Sequence, residues 1–449
     1  MGSHGTRYIR TLKVEFSILP RKVRRPAMLK TPYPVPILPK YQFTVVLAVM
    51  VLAGSVSIMS TDLYAPSLPH ITEVFHTTPE LVKLTISLNL MVYGVAQLFY
   101  GPLSDRFGRR PVLLWSVVLF SLASAAAGFA RSIDQLILAR IFQGIFASAE
   151  VVICLSVFKD LFTELQQVKA FAIYGMAIAL APCIAPIAGG HIHVLFGWEY
   201  NFYLVAVLGM ATAGLIFVLI HETTRPDPAA LRIHSIAKSY WSIFSNRTFM
   251  VHGALAGVAL GLIYAFVVGA PFILIDHFGI AVDHFGYYQA AIVIAYFLGS
   301  MLSTRLIDSW RPMDLLNLGM GFTLLGAFLV VGLVFLQGLL SPNSLTLAYM
   351  IIGFGLGPVF AVVPSKALAP IEESAGSAAA AFGAMEVGIS GLIAGMVSLF
   401  HDDTPGPFGL IVGMTAMLGL VLGYCSNRLD QRKPPPGVGS GRAVDDQYP

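Results

Sequence analysis

The sequence predicts an all-α integral membrane protein whose twelve transmembrane helices form two pseudo-symmetric six-helix bundles. Three observations predict this fold class: an apolar composition, twelve long apolar runs, and one long polar insert midway along the chain. Of the 449 residues, 56% are hydrophobic and only 12% are charged, and the mean hydropathy is +0.75. Soluble domains carry about 25% charged residues, so this composition excludes a soluble globular protein.

The chain begins with a basic segment, residues 1–42, which we interpret as a cytoplasmic tail. The first apolar run starts too far from the N-terminus, and is too long, to be a cleaved signal peptide. A hydrocarbon core of about 30 Å needs roughly 20 apolar residues per helix. Six runs of about that length make up the predicted first bundle, residues 43–220: 43–65, 80–100, 111–130, 134–157, 168–190 and 200–220.

The longest polar insert, residues 221–248, is interpreted as a cytoplasmic linker between the bundles. The final segment, residues 426–449, is rich in proline and glycine, and we expect it to be a disordered cytoplasmic tail. Six further apolar runs make up the predicted second bundle, residues 249–425: 249–273, 284–304, 313–338, 344–365, 374–400 and 405–425.

Basic residues predict the orientation, because cytoplasmic loops of membrane proteins carry an excess of lysine and arginine. With the N-terminus inside, the outer ends of the spans hold only Lys83 and Arg131. Both termini are therefore expected in the cytoplasm. The net charge of +4 comes from basic residues that orient the protein in the membrane, and it does not indicate nucleic-acid binding. The basic residues on the cytoplasmic side are Arg106, Arg109, Arg110, Lys159, Lys169, Arg225, Arg232, Lys238, Arg247, Arg305, Arg311 and Lys366.

A short charged segment, residues 101–110, lies between the second and third spans. Its glycines and proline are expected to break the helix, and Asp105 can accept hydrogen bonds from a helix N-terminus or an arginine. The segment is either an ordinary positive-inside hairpin or a latch between moving parts. The latch residues would be Gly101, Asp105, Arg106, Gly108, Arg109 and Arg110.

Asp62 lies late in the first span, where an apolar environment and the helix C-terminal end both disfavour a charged carboxylate. A carboxyl group held near neutrality can take up and release a proton. The alternative is an Asp at the outer interface that simply contacts water. We keep both interpretations open on the residues alone.

Polar side chains form stripes on two further spans. In the fourth span, Arg140, Gln143 and Glu150 share one side of the helix, which suggests an Arg140–Glu150 pair that lines the interior or fixes helix packing. In the second span, the repeat of Asn89, Tyr93 and Gln97 at every fourth residue suits a central cavity or a helix contact. Substrate contacts could also include Gln143 in the fourth span, and Tyr264 and Glu386 in later spans.

The fifth span contains far more helix breakers than a rigid packing helix would. We therefore expect this helix to bend and to approach a neighbour closely. The residues concerned are Gly175, Pro182, Pro186, Gly189 and Gly190.

Four segments resemble motifs of the major facilitator superfamily, specifically its bicyclomycin and chloramphenicol resistance branch of bacterial drug:proton antiporters. They are TDLYAPSLP (61–69), GPLSDRFGRR (101–110), LARIFQG (138–144) and APCIAPIAGG (181–190). The resemblance implies the major facilitator fold, a multi-pass place in the bacterial cytoplasmic (inner) membrane, and proton coupling through Asp62 and Arg140. Glu150 departs from the pattern of the branch, which puts the usual drug substrates in doubt and adds a third proton-coupling candidate.

The predicted function is proton-coupled export of drugs or other small molecules by alternating access, driven by the proton gradient with no cofactor or metal. The alternative is a transporter of a metabolite, peptide or siderophore, in either direction. A remote alternative is an intramembrane serine protease, based on Gly388, Ser390 and Gly391, but no His-x-x-Gly pattern accompanies them. The expected partners are a small-molecule substrate, protons and the lipid bilayer, and the expected state is a monomer.

Overall fold

The computed structural model describes residues 40–227, 230–371, 375–399 and 405–431. Within these residues the chain forms α-helices and short helical turns, with no β-strand. The helices are α1 (Lys40–Asp62), α2 (Leu68–Val74), α3 (Pro79–Phe107), α4 (Arg109–Gly128), α5 (Ile133–Leu161), α6 (Glu164–Phe196), α7 (Glu199–Leu219), α8 (Ile233–Ser245), α9 (Arg247–Pro271), α10 (Val282–Leu306), α11 (Pro312–Phe335), α12 (Pro342–Leu368), α13 (Ala375–Ser398) and α14 (Gly406–Gln431).

Twelve helical segments of the described chain are long and apolar enough to cross a membrane, as predicted. The first combines α1 and α2 and runs from Phe43 to Val74, and the seventh continues from α9 through a π-helical turn to His277. Most spans are longer than predicted, because a helix satisfies its own backbone hydrogen bonds and therefore continues past the apolar run. The all-α, twelve-span fold class is confirmed.

The first span was predicted to end at residue 65, but it continues to Val74. After Asp62 the chain forms a short turn, Ala65–Ser67, and then continues as α2. Pro66 and Pro69 explain the break, since proline lacks the N–H of a helix interior but fits the first turn of the next helix. Asp62 is consequently the last residue of a broken helix inside the span, not a residue at its outer end.

The segment 101–110 was wrongly predicted to be a loop. Residues 101–107 continue α3, with Pro102 inside the helix, and α4 starts at Arg109. Gly108 alone breaks the helix, with a φ of 100° that favours glycine.

The linker and the tails are partly helical. The linker contains α8, whose Tyr240 hydroxyl donates to the Leu98 carbonyl oxygen of α3 at 2.7 Å. Burial raises the pKa of Tyr240 to about 12, so this donor keeps its proton at physiological pH. The predicted C-terminal tail starts later than expected, because α14 continues to Gln431. The rest of the two predicted tails, residues 1–39 and 432–449, lies outside the described residues.

Two sets of helices pack mainly among themselves: α1 with α3–α7, and α9–α14. The largest contacts between the sets are α3 with α13 and α6 with α10. We name the two ends of the molecule by their turns. The Gly197 end carries the turn between α6 and α7, and the Gly108 end carries the turn between α3 and α4.

The two sets touch from the Gly197 end to the middle of the spans. A Cβ added to Gly190 would lie 2.6 Å from the Val282 carbonyl oxygen, and one added to Gly94 would lie 2.6 Å from the Gly388 nitrogen. Nearer the Gly108 end, a Cβ at Gly101 or Gly175 would meet nothing within 4 Å. The sets therefore separate toward the Gly108 end.

Candidate functional site

A cavity of about 400 Å³ lies between the two sets of helices, in the middle of the spans. Most of its walls are apolar and aromatic, with a few polar groups, which is typical of sites for small ligands. Its polar and aromatic lining residues are Ser57, Ser60, Thr61, Asn89, Tyr93, Gln97, Tyr264, Phe266, Gln289, Tyr296, Phe360 and Glu386.

Asp62 lies beside this cavity and is only 2% exposed. Its Oδ1 accepts a hydrogen bond from Gln289 Nε2 at 3.0 Å, and its Oδ2 has no hydrogen-bond partner among the described residues. The alternative of a water-exposed interfacial Asp is wrong, because the turn after Asp62 and the contact with α10 cover the carboxyl group.

Arg140 is fully buried and lies next to the end of α1. Its guanidinium donates to the Ser60 carbonyl oxygen at 3.2 Å, to Thr85 at 3.4 Å and to Gln143, and it stacks over Tyr64 with 4.7 Å between Cζ and the ring centroid. Within the described chain it forms no ion pair, so carbonyl oxygens and an aromatic face stabilise the buried charge.

The predicted Arg140–Glu150 pair is wrong. Ten residues of helix separate the two side chains by about 15 Å along the axis, so a shared face does not bring them together. Glu150 is 1% exposed, does not line the cavity, and has no hydrogen-bond partner for either carboxylate oxygen in the described residues. It lies inside the first set of helices, close to Tyr93, Cys154 and Tyr174.

Gln143 was predicted to line the cavity, and this is also wrong. It is fully buried, donates to Ser124 Oγ at 2.7 Å and accepts from Arg140. Its amide orients the arginine and connects it to α4, and it is not among the residues that line the cavity.

The polar stripe of α3 does line the cavity. Asn89 donates to the Arg140 carbonyl oxygen at 2.7 Å and accepts from Thr61 Oγ1 at 3.5 Å, so it connects the arginine to the residue before Asp62. Tyr93 and Gln97 follow along the same wall. The stripe therefore forms a helix contact and also lines the cavity, since Asn89 connects helices and all three residues face the cavity.

Tyr264 and Glu386 extend the site on the second set of helices. Both line the cavity, and Glu386 forms no hydrogen bond or ion pair within the described chain. It is the one acid among the residues that line this cavity. A carboxylate beside aromatic rings is suited to a ligand with a positive charge.

The breakers of α6 lie inside one continuous helix, and their surroundings differ along its length. Gly189 and Gly190 permit close packing, since a Cβ at Gly189 would overlap the Leu63 carbonyl oxygen at 1.6 Å. Pro182 faces the cavity, and Pro186 is buried against α10, where a Cβ on Gly286 would lie 2.6 Å from its carbonyl carbon. Gly175 lies in the separated part and lines the cavity.

At the Gly108 end, the charged segment contacts its own set of helices and the start of the linker. Arg109 forms ion pairs with Asp105 at 2.6 Å and with Asp160 of α5 at 3.2 Å. Glu222, not Asp105, accepts from the first backbone N–H groups of α4, at 2.9 Å from Arg109 and 3.3 Å from Arg110. Arg106 lies over the Phe107 ring.

Two groups of residues escaped prediction from sequence. Ser57, Ser60 and Thr61 lie on the cavity side of α1, and their i, i+3, i+4 spacing on one helix face could have revealed them. The role of Gln289 could not have been predicted, because a single glutamine near the start of the eighth span belongs to no motif or periodic pattern.

A family model described as the Major Facilitator Superfamily matches residues 50–396. The chain belongs to the major facilitator superfamily. It is therefore a membrane transporter and not an enzyme, and Ser390 of the protease alternative donates its hydroxyl to Val387 of its own helix at 2.8 Å.

The relatives of this chain have names that match the drug-resistance branch predicted from its motifs. It is 27% identical to the bicyclomycin resistance protein homolog of Haemophilus influenzae, over 81% of this chain and 91% of that protein. It is 25% identical to a chloramphenicol resistance protein of Pseudomonas aeruginosa, over 83% and 88%. It is 26% identical to the multidrug resistance protein MdtM of Escherichia coli strain K12, over 69% and 76%.

Solved structures confirm the fold. A D-xylose-proton symporter superimposes with a TM-score of 0.65 at 16% identity, covering 85% of this chain and 97% of its own. A bacterial homolog of the human lysosomal transporter Spinster, inward-facing and unoccupied, gives 0.66 at 15% identity, covering 89% and 100%.

Proposed function

We propose that the protein is a proton-coupled exporter of lipophilic small molecules, a drug:proton antiporter that works by alternating access. The observation that carries the proposal is the central cavity beside a buried, half-satisfied Asp62, closed toward the Gly197 end and open toward the Gly108 end. An apolar cavity with few polar groups suits a lipophilic cargo. The names of the relatives support drug export in particular.

The moving parts in this proposal are the two halves of the chain, residues 43–220 and 249–425, joined by the linker 221–248. The Gly108 end faces the cytoplasm of a bacterial cell, since it carries most of the basic residues outside the tails. The described conformation is then inward-facing. Both termini are cytoplasmic, and a single chain performs the cycle, because one chain contains the whole cavity.

Proton coupling is assigned to Asp62 and Arg140. Protonation of Asp62 from outside favours the inward-facing state, and substrate binding from the cytoplasm favours release of the proton and return to the outward-facing state. Arg140 supplies the positive charge beside the acid, and Glu150 is a second carboxyl that takes part in the proton balance. The latch that closes the Gly108 end in the outward-facing state is the segment that contains Asp105, Arg109 and Arg110.

The test uses purified protein in liposomes that carry an interior pH dye, with a proton gradient imposed. Adding a lipophilic drug should release protons with wild type, and Asp62→Asn should abolish the response because asparagine binds no proton. Ser390→Ala is a matched control, since its hydroxyl contacts only its own helix. Folded wild-type protein that responds to no drug would reject drug export and favour a metabolite, peptide or siderophore as cargo.

A further inference from the structure

The bond between Asp62 and Gln289 joins the two halves of the chain. Asp62 is the last residue of α1, Gln289 belongs to α10, and the two residues are 227 positions apart. Both side chains are buried, at 2% and 3% exposure. They lie where α6 and α10 pack between the cavity and the Gly197 end, so this contact belongs to the part that must separate in the outward-facing state.

The orientation of the Gln289 amide follows from its neighbours. Its Nε2 faces two acceptors, Asp62 Oδ1 at 3.0 Å and the Pro182 carbonyl oxygen at 3.4 Å. The reverse orientation would place an oxygen against two oxygens. The amide therefore donates to the carboxyl group through Nε2, which leaves Oε1 as its acceptor.

Each partner of this bond keeps one buried oxygen without a hydrogen bond. Asp62 Oδ2 and Gln289 Oε1 both lack a partner among the described residues. Two acceptors cannot satisfy each other, and buried polar atoms without partners destabilise the packing that contains them. One proton on Oδ2 would convert that oxygen into a donor.

We propose that Gln289 is the positioning residue through which the proton on Asp62 controls closure of the Gly197 end. A proton taken from water forms an O–H bond on Oδ2, and this group donates to Gln289 Oε1 while Gln289 Nε2 still donates to Oδ1. The protonated pair has two hydrogen bonds across the halves and no unpaired acceptor, whereas the ionised pair has one and leaves Asp62 Oδ2 and Gln289 Oε1 buried without partners. Loss of the proton therefore weakens the contact that holds this end shut.

Other charged or titratable groups near Asp62 do not compete for this role. Arg140 faces it from α5 and Tyr264 from α9, while α6 offers the Pro182 carbonyl oxygen. Arg140 is already bound to carbonyl oxygens, and neither group bridges α1 to α10. Four histidines nearer the Gly197 end are common to every variant below. His70 and His193 contact each other, and His191 and His284 both contact Tyr287 of α10.

The inference rests on the proton site of the proposed function, but its test needs no drug. Spin labels at Arg131→Cys and Asn343→Cys, two exposed positions on opposite halves at the Gly197 end, report opening by their distance. The three native cysteines are first replaced by serine. In wild type, lowering the pH from about 8 to about 5, a range that protonates buried carboxyls, should raise the closed-to-open ratio about tenfold.

Two variants separate the proposal from a general pH effect. Gln289→Leu removes both hydrogen bonds at similar size and should abolish the pH response. Asp62→Asn forms both hydrogen bonds to Gln289 without a proton and should keep this end closed at every pH. Gln167→Leu is the matched control, the same substitution near the Gly108 end of α6, outside the cavity lining and away from Asp62, and should respond as wild type does.

Each outcome decides the matter. A wild-type pH response in Gln289→Leu would overturn the inference, and so would an Asp62→Asn protein that opens or still responds to pH. Because Asp62→Asn leaves Gln289 unchanged, it remains decisive if Gln289→Leu does not fold. A lost pH response in Gln289→Leu would support this inference even if the liposome assay shows that the cargo is not a drug.

Discussion

At the scale of single residues, two buried acids in the first half have very different surroundings. Asp62 is joined to the other half through Gln289, whereas Glu150 is enclosed by its own half behind Tyr93. A buried carboxylate without partners is costly, so Glu150 is expected to bind a proton whenever its surroundings stay closed.

We expect Glu150→Gln to lower the number of protons exchanged per drug molecule, because one of two acids that can take up a proton is removed. The measurement is the membrane potential and pH gradient at which net drug flux through the liposomes reverses. Glutamine has the same size, so unfolding is not expected. An unchanged ratio would show that Glu150 keeps its proton throughout the cycle.

Glu386 leads to a prediction about substrate charge. It is the acid that lines the cavity, and it contacts no basic group in the described chain. We expect Glu386→Gln to raise the KM for a lipophilic cation about tenfold, the loss of one charge-assisted contact, and to change that of a neutral drug little. Transport of both drugs by the same preparation measures this difference, and equal effects would remove Glu386 from cation recognition.

At the scale of elements, α6 has two parts with opposite tolerance for side chains. Gly189 lies against the Leu63 carbonyl oxygen, and Gly175 lies beside open space on the same helix. The helix must therefore stay narrow toward the Gly197 end, where it packs on α1 and α10, but not where it borders the cavity.

We expect Gly189→Ala to destabilise the described conformation by about 2 kcal/mol or more, because the new methyl group forces two backbones apart. Gly175→Ala should be neutral or stabilising by up to about 1 kcal/mol, since alanine favours helix more than glycine does. Thermal unfolding of both proteins in the same detergent compares them. Equal melting temperatures would contradict the close packing of α6 on α1.

At the scale of the whole molecule, the two ends differ in charge and in openness. The Gly108 end holds the ion pairs of Arg109 and the basic residues of the linker, and the halves separate there. Orientation in the membrane decides whether this conformation accepts cargo from the cytoplasm or from outside.

We expect an impermeant maleimide to label Arg131→Cys in intact cells, and Arg311→Cys only after the membrane is permeabilised. Both positions are exposed, and they lie at opposite ends of the molecule. The background protein without native cysteines gives the baseline. The reverse pattern would invert the topology and make the described conformation outward-facing.

The sequence by itself determined the twelve spans, a helix break within residues 101–110, and the positions of Asp62 and Arg140 in recognisable motifs. These features are local, because span length follows from bilayer thickness and helix breaks follow from the chemistry of proline and glycine. The α3 stripe was predictable for the same reason, since helical periodicity alone places Asn89, Tyr93 and Gln97 on one face.

The tertiary structure alone decided which of these residues meet. Glu150 shares a helix face with Arg140 but lies about 15 Å further along the axis, so only the packing of neighbouring helices shows that it is enclosed and unpaired. Gln289 carries no motif, and it reaches Asp62 because glycines let α6 and α10 pack closely. Contacts between residues 227 positions apart depend on how helices pack, and periodicity within one helix holds no information about them.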